Sequence, residues 1–303
     1  MYIGIWSRLR GFHRDALTQA LVERRVVQGT LLRSTIHLVA AQDYWPVALA
    51  IRSARRAWWE RVTKGTPGVA ALEQAAMRLR ATLAERGTMT QAEIDVAVGP
   101  ELRAGVGGWI DLVRAPPSGT WERRRANLYA AAEDWVGEPP AELVAEPERG
   151  VELLVRRYLT GFGPTTPGSV ADWAGLPVAT VRQIINRLPL RRLRTDDGTE
   201  LVDLEELTVP DPGRATPVRY LPTWDATLLA HCRRTQILPE EHRAKIFSTK
   251  TPHSFGTFLV DGQVAGTWRY QDGHISRTEF HPLSRRVRVE LDAEAEGLAE
   301  LHR

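Results

Sequence analysis

Gly163-Pro164-Thr165-Thr166-Pro167 opens a segment that runs on through Ala171-Asp172-Trp173-Ala174 and breaks at Gly175-Leu176-Pro177. It resumes from Val178 to Leu188 and ends in Leu190-Arg191-Arg192-Leu193-Arg194-Thr195-Asp196-Asp197-Gly198-Thr199-Glu200-Leu201-Val202. The first stretch reads as a helix, the Gly-Leu-Pro as its stop and the second stretch as another helix. The last stretch reads as a hairpin turning at Asp197-Gly198. Helix, tight turn, helix and β-wing make a winged helix, a unit that most often holds nucleic acid.

Two less clear copies precede it. Residues 14–23 predict an amphipathic helix with Ala16, Leu17, Ala20 and Leu21 on one face, and Val26 to Val39 reads as extended. This resembles the second half of a winged helix, and the expectation is that its beginning lies ahead of Met1. A long helix is predicted from Gln42 to about Thr63, with Trp45, Leu49 and Trp58 on an inward stripe, and another from Val69 to Glu85, stopped at Gly87. Thr90-Gln91-Ala92-Glu93 is a capping box that opens the second helix-turn-helix. Its wing is expected to run through Trp109–Arg114, turn at Pro116-Pro117-Ser118-Gly119 and return through Trp121-Glu122-Arg123-Arg124-Arg125. Three such modules in tandem suggest one basic surface that follows a duplex.

The Pro- and Glu-rich stretch from Gly137 to Gly150 reads as a linker, and Pro210-Asp211-Pro212-Gly213 as a second breaker. Beyond it the chain alternates with period two through Val218–Leu221, Gly256–Val260, Val264–Tyr270 and Arg286–Val289, with turns at Asp261-Gly262 and Asp272-Gly273. A helix from Asp292 to Leu301 closes the chain. The expected fold class is therefore α+β: tandem winged-helix units followed by a C-terminal antiparallel β-barrel or curled sheet. The expected domains are 1–63 (a partial winged helix plus the long helix), 64–137, 151–208 and 215–303.

The chain has 303 residues, 43% of them hydrophobic, enough to bury real cores. No apolar run approaches the ~18 residues a membrane span needs, and Met1–Trp6 is cut short by Arg8 and Arg10. The single cysteine, Cys232, excludes an internal disulfide and a cysteine-rich zinc site. A cytoplasmic protein is the expectation. The net charge is only +3, but lysine occurs only at Lys64, Lys245 and Lys250, so arginine carries nearly all the positive charge. Arginine binds phosphate in bidentate fashion and stacks on bases; a GC-rich genome is the alternative source of that bias.

Walker, Gly-x-Gly-x-x-Gly, His-Glu-x-x-His and Gly-x-Ser-x-Gly motifs are all absent. Arg33, Thr35 and His37 fall on one face of a strand, which is either a pocket wall or a solvated wing face. Trp224-Asp225, followed by His231, is a second constellation: either the aromatic ring and acid stack a base and position water, or Trp224 packs and Asp225 caps a short helix. Arg123, Arg124 and Arg125 beside the second wing are candidate phosphate ligands, as are Arg182 and Asn186 on the second helix of the third module and Arg191, Arg192 and Arg194 on its wing.

Five segments carry a family resemblance: Tyr2-Ile3-Gly4-Ile5-Trp6-Ser7-Arg8-Leu9, Arg33-Ser34-Thr35-Ile36-His37-Leu38-Val39, Arg156-Arg157-Tyr158-Leu159, Leu221–His231 and Val260–Arg269. In this order they resemble the AlkZ-like winged-helix DNA glycosylases, the azinomycin-resistance type. The resemblance implies excision of alkylated purines from double-stranded DNA by a monofunctional enzyme, without a metal or other cofactor. Side-chain chemistry, rather than the resemblance, gives the candidates for a base pocket: Thr35, His37, Trp224, Asp225, His231, Trp268 and Arg269. Arg33 joins the DNA-binding candidates. The family's catalytic pair is Gln-x-Gln or Gln-x-Asp, two side chains on one side of an extended segment, and neither motif occurs in this sequence. Gln91-Ala92-Glu93 comes nearest and belongs to the capping box. The resemblance places the motif just ahead of Tyr2, so a longer natural chain is expected, with a shortened inactive relative as the alternative. No catalytic residue is assigned. The rival reading is a non-enzymatic winged-helix DNA binder or transcription regulator. A regulator usually works as a dimer, and with no heptad helix visible a monomer is expected.

Overall fold

The computed structural model describes residues 1–208, 211, 213–229, 234–248 and 253–303. By its contacts the chain falls into two units: a central one, Leu17–Leu207, and a terminal one that joins Met1–Ala16 to Thr208–Arg303. The terminal unit begins with α1 (Tyr2–Trp6), and the division falls inside α2 (Arg14–Val22).

The central unit is built on a five-stranded sheet of order β2-β1-β4-β5-β3, every pair antiparallel. β1 (Val26–Thr30) and β2 (Ile36–Ala40) lead into α3 (Ala41–Thr63). Then come α4 (Val69–Arg86), β3 (Met89–Thr90), α5 (Gln91–Val98), β4 (Leu112–Arg114) and β5 (Leu128–Ala131). The capping box is formed: Thr90 Oγ1 accepts from Glu93 N, and Glu93 Oε2 accepts from Thr90 N at 2.8 Å. The Thr90 amide, then the Thr90 hydroxyl and Arg86, hold the Glu93 carboxyl down at about 2. The second wing differs from expectation. Residues 121–125 are turns, and the returning strand is β5, with Leu112 opposite Ala131.

Short helices α6 (Ala132–Val136) and α7 (Ala141–Ala145) follow, then α8 (Glu148–Phe162). The expected linker thus contains a helical turn and the start of α8. Beyond it lie α9 (Pro167–Ala174), α10 (Val178–Arg187), β6 (Leu190–Arg194) and β7 (Glu200–Leu204), the two strands forming a separate hairpin. Thr166 caps α9 by accepting from Ser169 N, with Pro167 at its first turn, and Gly175 ends it at φ 72°, the left-handed region. One core joins Trp45 and Leu49 of α3 to Val155 and Tyr158 of α8, Val181 and Ile185 of α10, and Val202 of β7. A second core gathers Leu79, Leu83, Met89 and Ile110. Trp58 departs from the expected inward stripe: it is 47% exposed, while Trp45 is 5%.

In the terminal unit the order is β8 (Arg219–Leu221), α11 (Ala226–Leu229), α12 (Arg234–Ile237), α13 (Glu240–Ile246), β9 (Phe247–Ser248) and β10 (His253–Ser254). After these come β11 (Gly256–Val260), β12 (Gln263–Gln271), β13 (His274–Glu279) and α14 (Arg285–His302). Both Asp-Gly turns are two-residue hairpin turns with positive φ at each central residue: 49° and 77° at Asp261-Gly262, 50° and 82° at Asp272-Gly273.

The barrel expectation is corrected. The sheet β13-β12-β11-β8 is open among the described residues, and β8 and β13 are its edges. α14 lies across it instead, burying Leu291, Leu298 and Leu301 against Tyr220, Phe258 and Trp268. The expected strand Arg286–Val289 is the first turn of α14, because Ser284 Oγ accepts from Val287 N and starts a helix there.

Candidate nucleic-acid interface

The loop between β1 and β2 holds two adjacent non-glycine residues in the left-handed region. Arg33 and Ser34 both sit at positive φ, 52° and 56°, which non-glycine residues adopt only where the surroundings impose it. Thr35 O accepts from Leu31 N at 2.9 Å, and Leu31 O accepts from Ser34 N at 3.0 Å. Thr35 Oγ1 donates to Leu32 O at 3.0 Å. The expected common strand face of Arg33, Thr35 and His37 is not formed: only His37 lies in β2, Arg33 lies in a tight helical turn and Thr35 precedes the strand. The sequence pattern is periodic, but the left-handed turn breaks the extended backbone that periodicity assumes. Arg33 Nη1 donates to the Trp173 carbonyl. His37 is half-buried, and burial lowers its pKa and favours the neutral ring, with Nδ1–H donating to Thr35 O at 2.9 Å. That leaves Nε2 as an acceptor.

The other arginines divide by what already holds them. Arg123, Arg124 and Arg125 are exposed, with Arg124 over the Trp121 ring at 4.6 Å. Arg182 and Arg194 are exposed too, and their side chains have no partner among the described residues. Arg192 pairs with Glu200 at 2.6 Å and reaches Asn186 Oδ1 at 3.5 Å. Arg191 is an internal tie instead: its Nη2 meets Asp203 Oδ2 at 3.3 Å and Leu207 O at 2.8 Å. Its Nη2 is thus committed to the fold, while its buried Nε has no partner among the described residues.

The terminal unit carries Trp224, Asp225, Trp268 and Arg269; His231 lies outside the described residues. Asp225 is buried and makes a two-point bond with Arg8, Oδ1 to Nη2 at 2.7 Å and Oδ2 to Nη1 at 3.0 Å. Its Oδ1 also accepts from Thr227 N at 3.0 Å, at the start of α11. Arg8 further donates to Gly4 O, Ser7 Oγ and Thr227 Oγ1. Trp224 does not pack inward. It is 48% exposed at φ 57°, its amide donates to Ser254 Oγ at 3.2 Å, and its ring lies 6.2 Å from Phe247. Trp268 is a core residue whose Nε1 donates to Leu221 O at 2.8 Å, whereas Arg269 is exposed. Thr35 and His37 thus belong to one unit and Trp224, Asp225, Trp268 and Arg269 to the other.

The family model described as DNA glycosylase AlkZ-like matches residues 1–301. The chain belongs to the AlkZ-like DNA glycosylase family. Among solved structures, the Streptomyces sahachiroi DNA glycosylase AlkZ is similar with a TM-score of 0.74 at 21% identity. The match covers 98% of this chain and 86% of that one, and it establishes the fold. No curated protein matches the sequence. Among the described residues, no helix is long and apolar enough to cross a membrane.

In this AlkZ-like chain Arg8 is a residue that the sequence pattern does not single out. Both Arg8 and Asp225 stand in segments that carry the family resemblance, yet nothing in the sequence says that residues 217 positions apart share a bond. One group could meet a metal among the described residues: Glu241, His242 and His281, whose ligand atoms lie within 4.8 Å of one another. The Lys245 ammonium stands 3.5 Å from His242 Nδ1, and its charge opposes a cation there.

Proposed function

We propose that this chain acts on double-stranded DNA as a monofunctional glycosylase that removes alkylated purines, working as a monomer and without a metal or other cofactor. The observation that carries the reading is the match of the DNA glycosylase family over nearly the whole chain. In the reaction, the glycosidic electron pair passes to the cationic purine, which leaves neutral. Water adds to the sugar carbon and gives up a proton. An alkylated base departs without strong acid help, so the protein's task is to hold the duplex, orient water and stabilise the cationic sugar. The nearest approach to the family's catalytic pair, Gln91-Ala92-Glu93, has other work: Glu93 closes the capping box and Gln91 Nε2 donates to Asp95 at 2.8 Å.

Within this reading the central unit supplies winged helices. α9, the Gly175 turn, α10 and the β6–β7 hairpin are the third of them, with Arg182, Arg192 and Arg194 on phosphates. Arg33 and the Arg123–Arg125 turn supply further phosphate contacts, and Thr35 and His37 of the same unit face the damaged base.

The test is release of 7-methylguanine from alkylated duplex, by this chain and by an N-terminally extended form that carries Gln-x-Gln. Release from the extended form supports the enzyme. No release from either, with preference for one operator over random DNA, supports the regulator instead. Changing Arg123, Arg124 and Arg125 to alanine is expected to weaken binding to all duplexes alike. It should also flatten the dependence of log K on log salt by about 0.9 for each phosphate that is no longer neutralised.

A further inference from the structure

The outer end of α3 presents Ile51, Ala54, Arg55, Trp58 and Arg61 on one face, at helical spacing. This face borders a cavity of about 590 Å³ that lies wholly within the central unit. Three arginines line it, Arg33, Arg55 and Arg61, and no carboxylate does. A second cavity of about 380 Å³ lies across the ridge made by Ser34, Arg55 and Trp58.

The donors here are incompletely used. Arg61 has no side-chain partner among the described residues. Arg55 Nη1 donates to Thr30 O at 3.1 Å, Nη2 stands 3.8 Å from Asp111 Oδ1, and its buried Nε has no partner among the described residues. Asp111 itself is held closer by Arg52, at 2.7 Å. The unspent buried Nε of Arg55, with Arg33 and Arg61 lacking a carboxylate partner among the described residues, calls for an anion. Trp58 adds a half-exposed aromatic face at the same rim. The walls are preset: a Cβ on Gly175 would lie 3.2 Å from Arg33 N, so the α9 cap seats directly on the strained Arg33–Ser34 backbone. A planar group on the indole with an anion on the arginines is the outline of a nucleotide, and the cavity falls in the usual size range for small ligands.

We propose that this cavity takes one unpaired nucleotide of a DNA strand, its base stacked on Trp58 and its phosphate held by Arg61, Arg33 and Arg55. The inference rests on the DNA-binding reading above and narrows it, since a base inside an intact helix cannot offer its face to Trp58.

The test compares wild type with Trp58→Ala, Trp58→Tyr and Arg61→Ala, each checked for fold by circular dichroism, on a labelled fully paired duplex, a single-nucleotide bulge and a single strand. Trp58→Ala is expected to lose about tenfold or more on the bulge and the single strand and to bind the paired duplex as wild type does. Trp58→Tyr should keep most of the affinity, and Arg61→Ala should lose affinity and flatten the salt dependence by about 0.7 on the single strand. Wild-type affinity for all three DNAs with no loss in Trp58→Ala overturns the subsite while leaving the DNA-binding reading intact. Wild type that binds none of the DNAs overturns that reading and the subsite with it. Quenching of Trp58 fluorescence by a deoxynucleoside monophosphate, without any strand preference, makes a free nucleotide the ligand and overturns the assignment to DNA.

Discussion

Arg8→Ala is expected to destabilise the terminal unit by about 2–4 kcal/mol. The Asp225 side chain is 3% exposed, and Arg8 is its only charged partner among the described residues. Removing the guanidinium leaves a buried carboxylate with the Thr227 amide as its remaining donor. The full cost of orphaning a buried ion is about 3–5 kcal/mol. Arg8 is 47% exposed, so solvent already screens part of the pair, and the expectation sits lower. Asp225→Asn removes the other charge and leaves a half-exposed arginine that water can satisfy, so its cost should be smaller, about 1–2 kcal/mol. The double variant should cost less than the two singles summed. Amide hydrogen exchange in β8, β11 and β12 during urea titration reads this unit alone. A null effect in Arg8→Ala would show that the bond contributes nothing in solution. The same variant should also free the Trp224 backbone, because Asp225 is the next residue and anchors the start of α11.

What could be read from the sequence was local. Thr90 and Glu93, Thr166 and Pro167, Gly175 and the two Asp-Gly pairs each act within a few residues, where capping and turn stereochemistry depend on side-chain type alone. Every one of them is found in place. Alternation in the last third located β8, β11 and β12, but period two says nothing about whether the outer strands meet. So a barrel or a curled sheet was expected, and an open sheet covered by α14 stands. The run Arg286–Val289 alternates as well, yet Ser284 ahead of it is a helix cap, and the cap decided. Arginine on a wing reads as a phosphate ligand, and the sequence does not show that Arg191 Nη2 is held by Asp203 and Leu207 or that Arg192 pairs with Glu200. Those partners are set by hairpin register and the following turn. Trp58 and Trp268 carry the same apolar bulk in the sequence, yet one is half exposed and the other donates inside a core.

Gly266→Ala should cost about 3 kcal/mol, at the upper end for inserting a single methyl into a packed site. Gly266 lies in β12, opposite Phe258 of β11 and Glu279 of β13, with backbone dihedrals open to any residue. The cost is therefore steric rather than conformational. A Cβ there would fall 2.2 Å from Thr278 O and 2.4 Å from Phe258 Cε1 and Cζ. The phenyl ring fills the place of the missing side chain and is itself fully buried. Thr278 O belongs to the backbone of the neighbouring strand, so it moves only if β13 shifts away from β12. Phe258→Leu in the same chain removes the ring clash but not the carbonyl clash. Rescue should therefore be partial: the double variant is expected to be less destabilised than the sum of the singles, yet still below Phe258→Leu alone. Urea unfolding followed by exchange of the β12 and β13 amides gives all three numbers. If Gly266→Ala were neutral, the close seat of Phe258 on the β12 backbone would be wrong, and with it the packing that places Trp268 beneath Leu221.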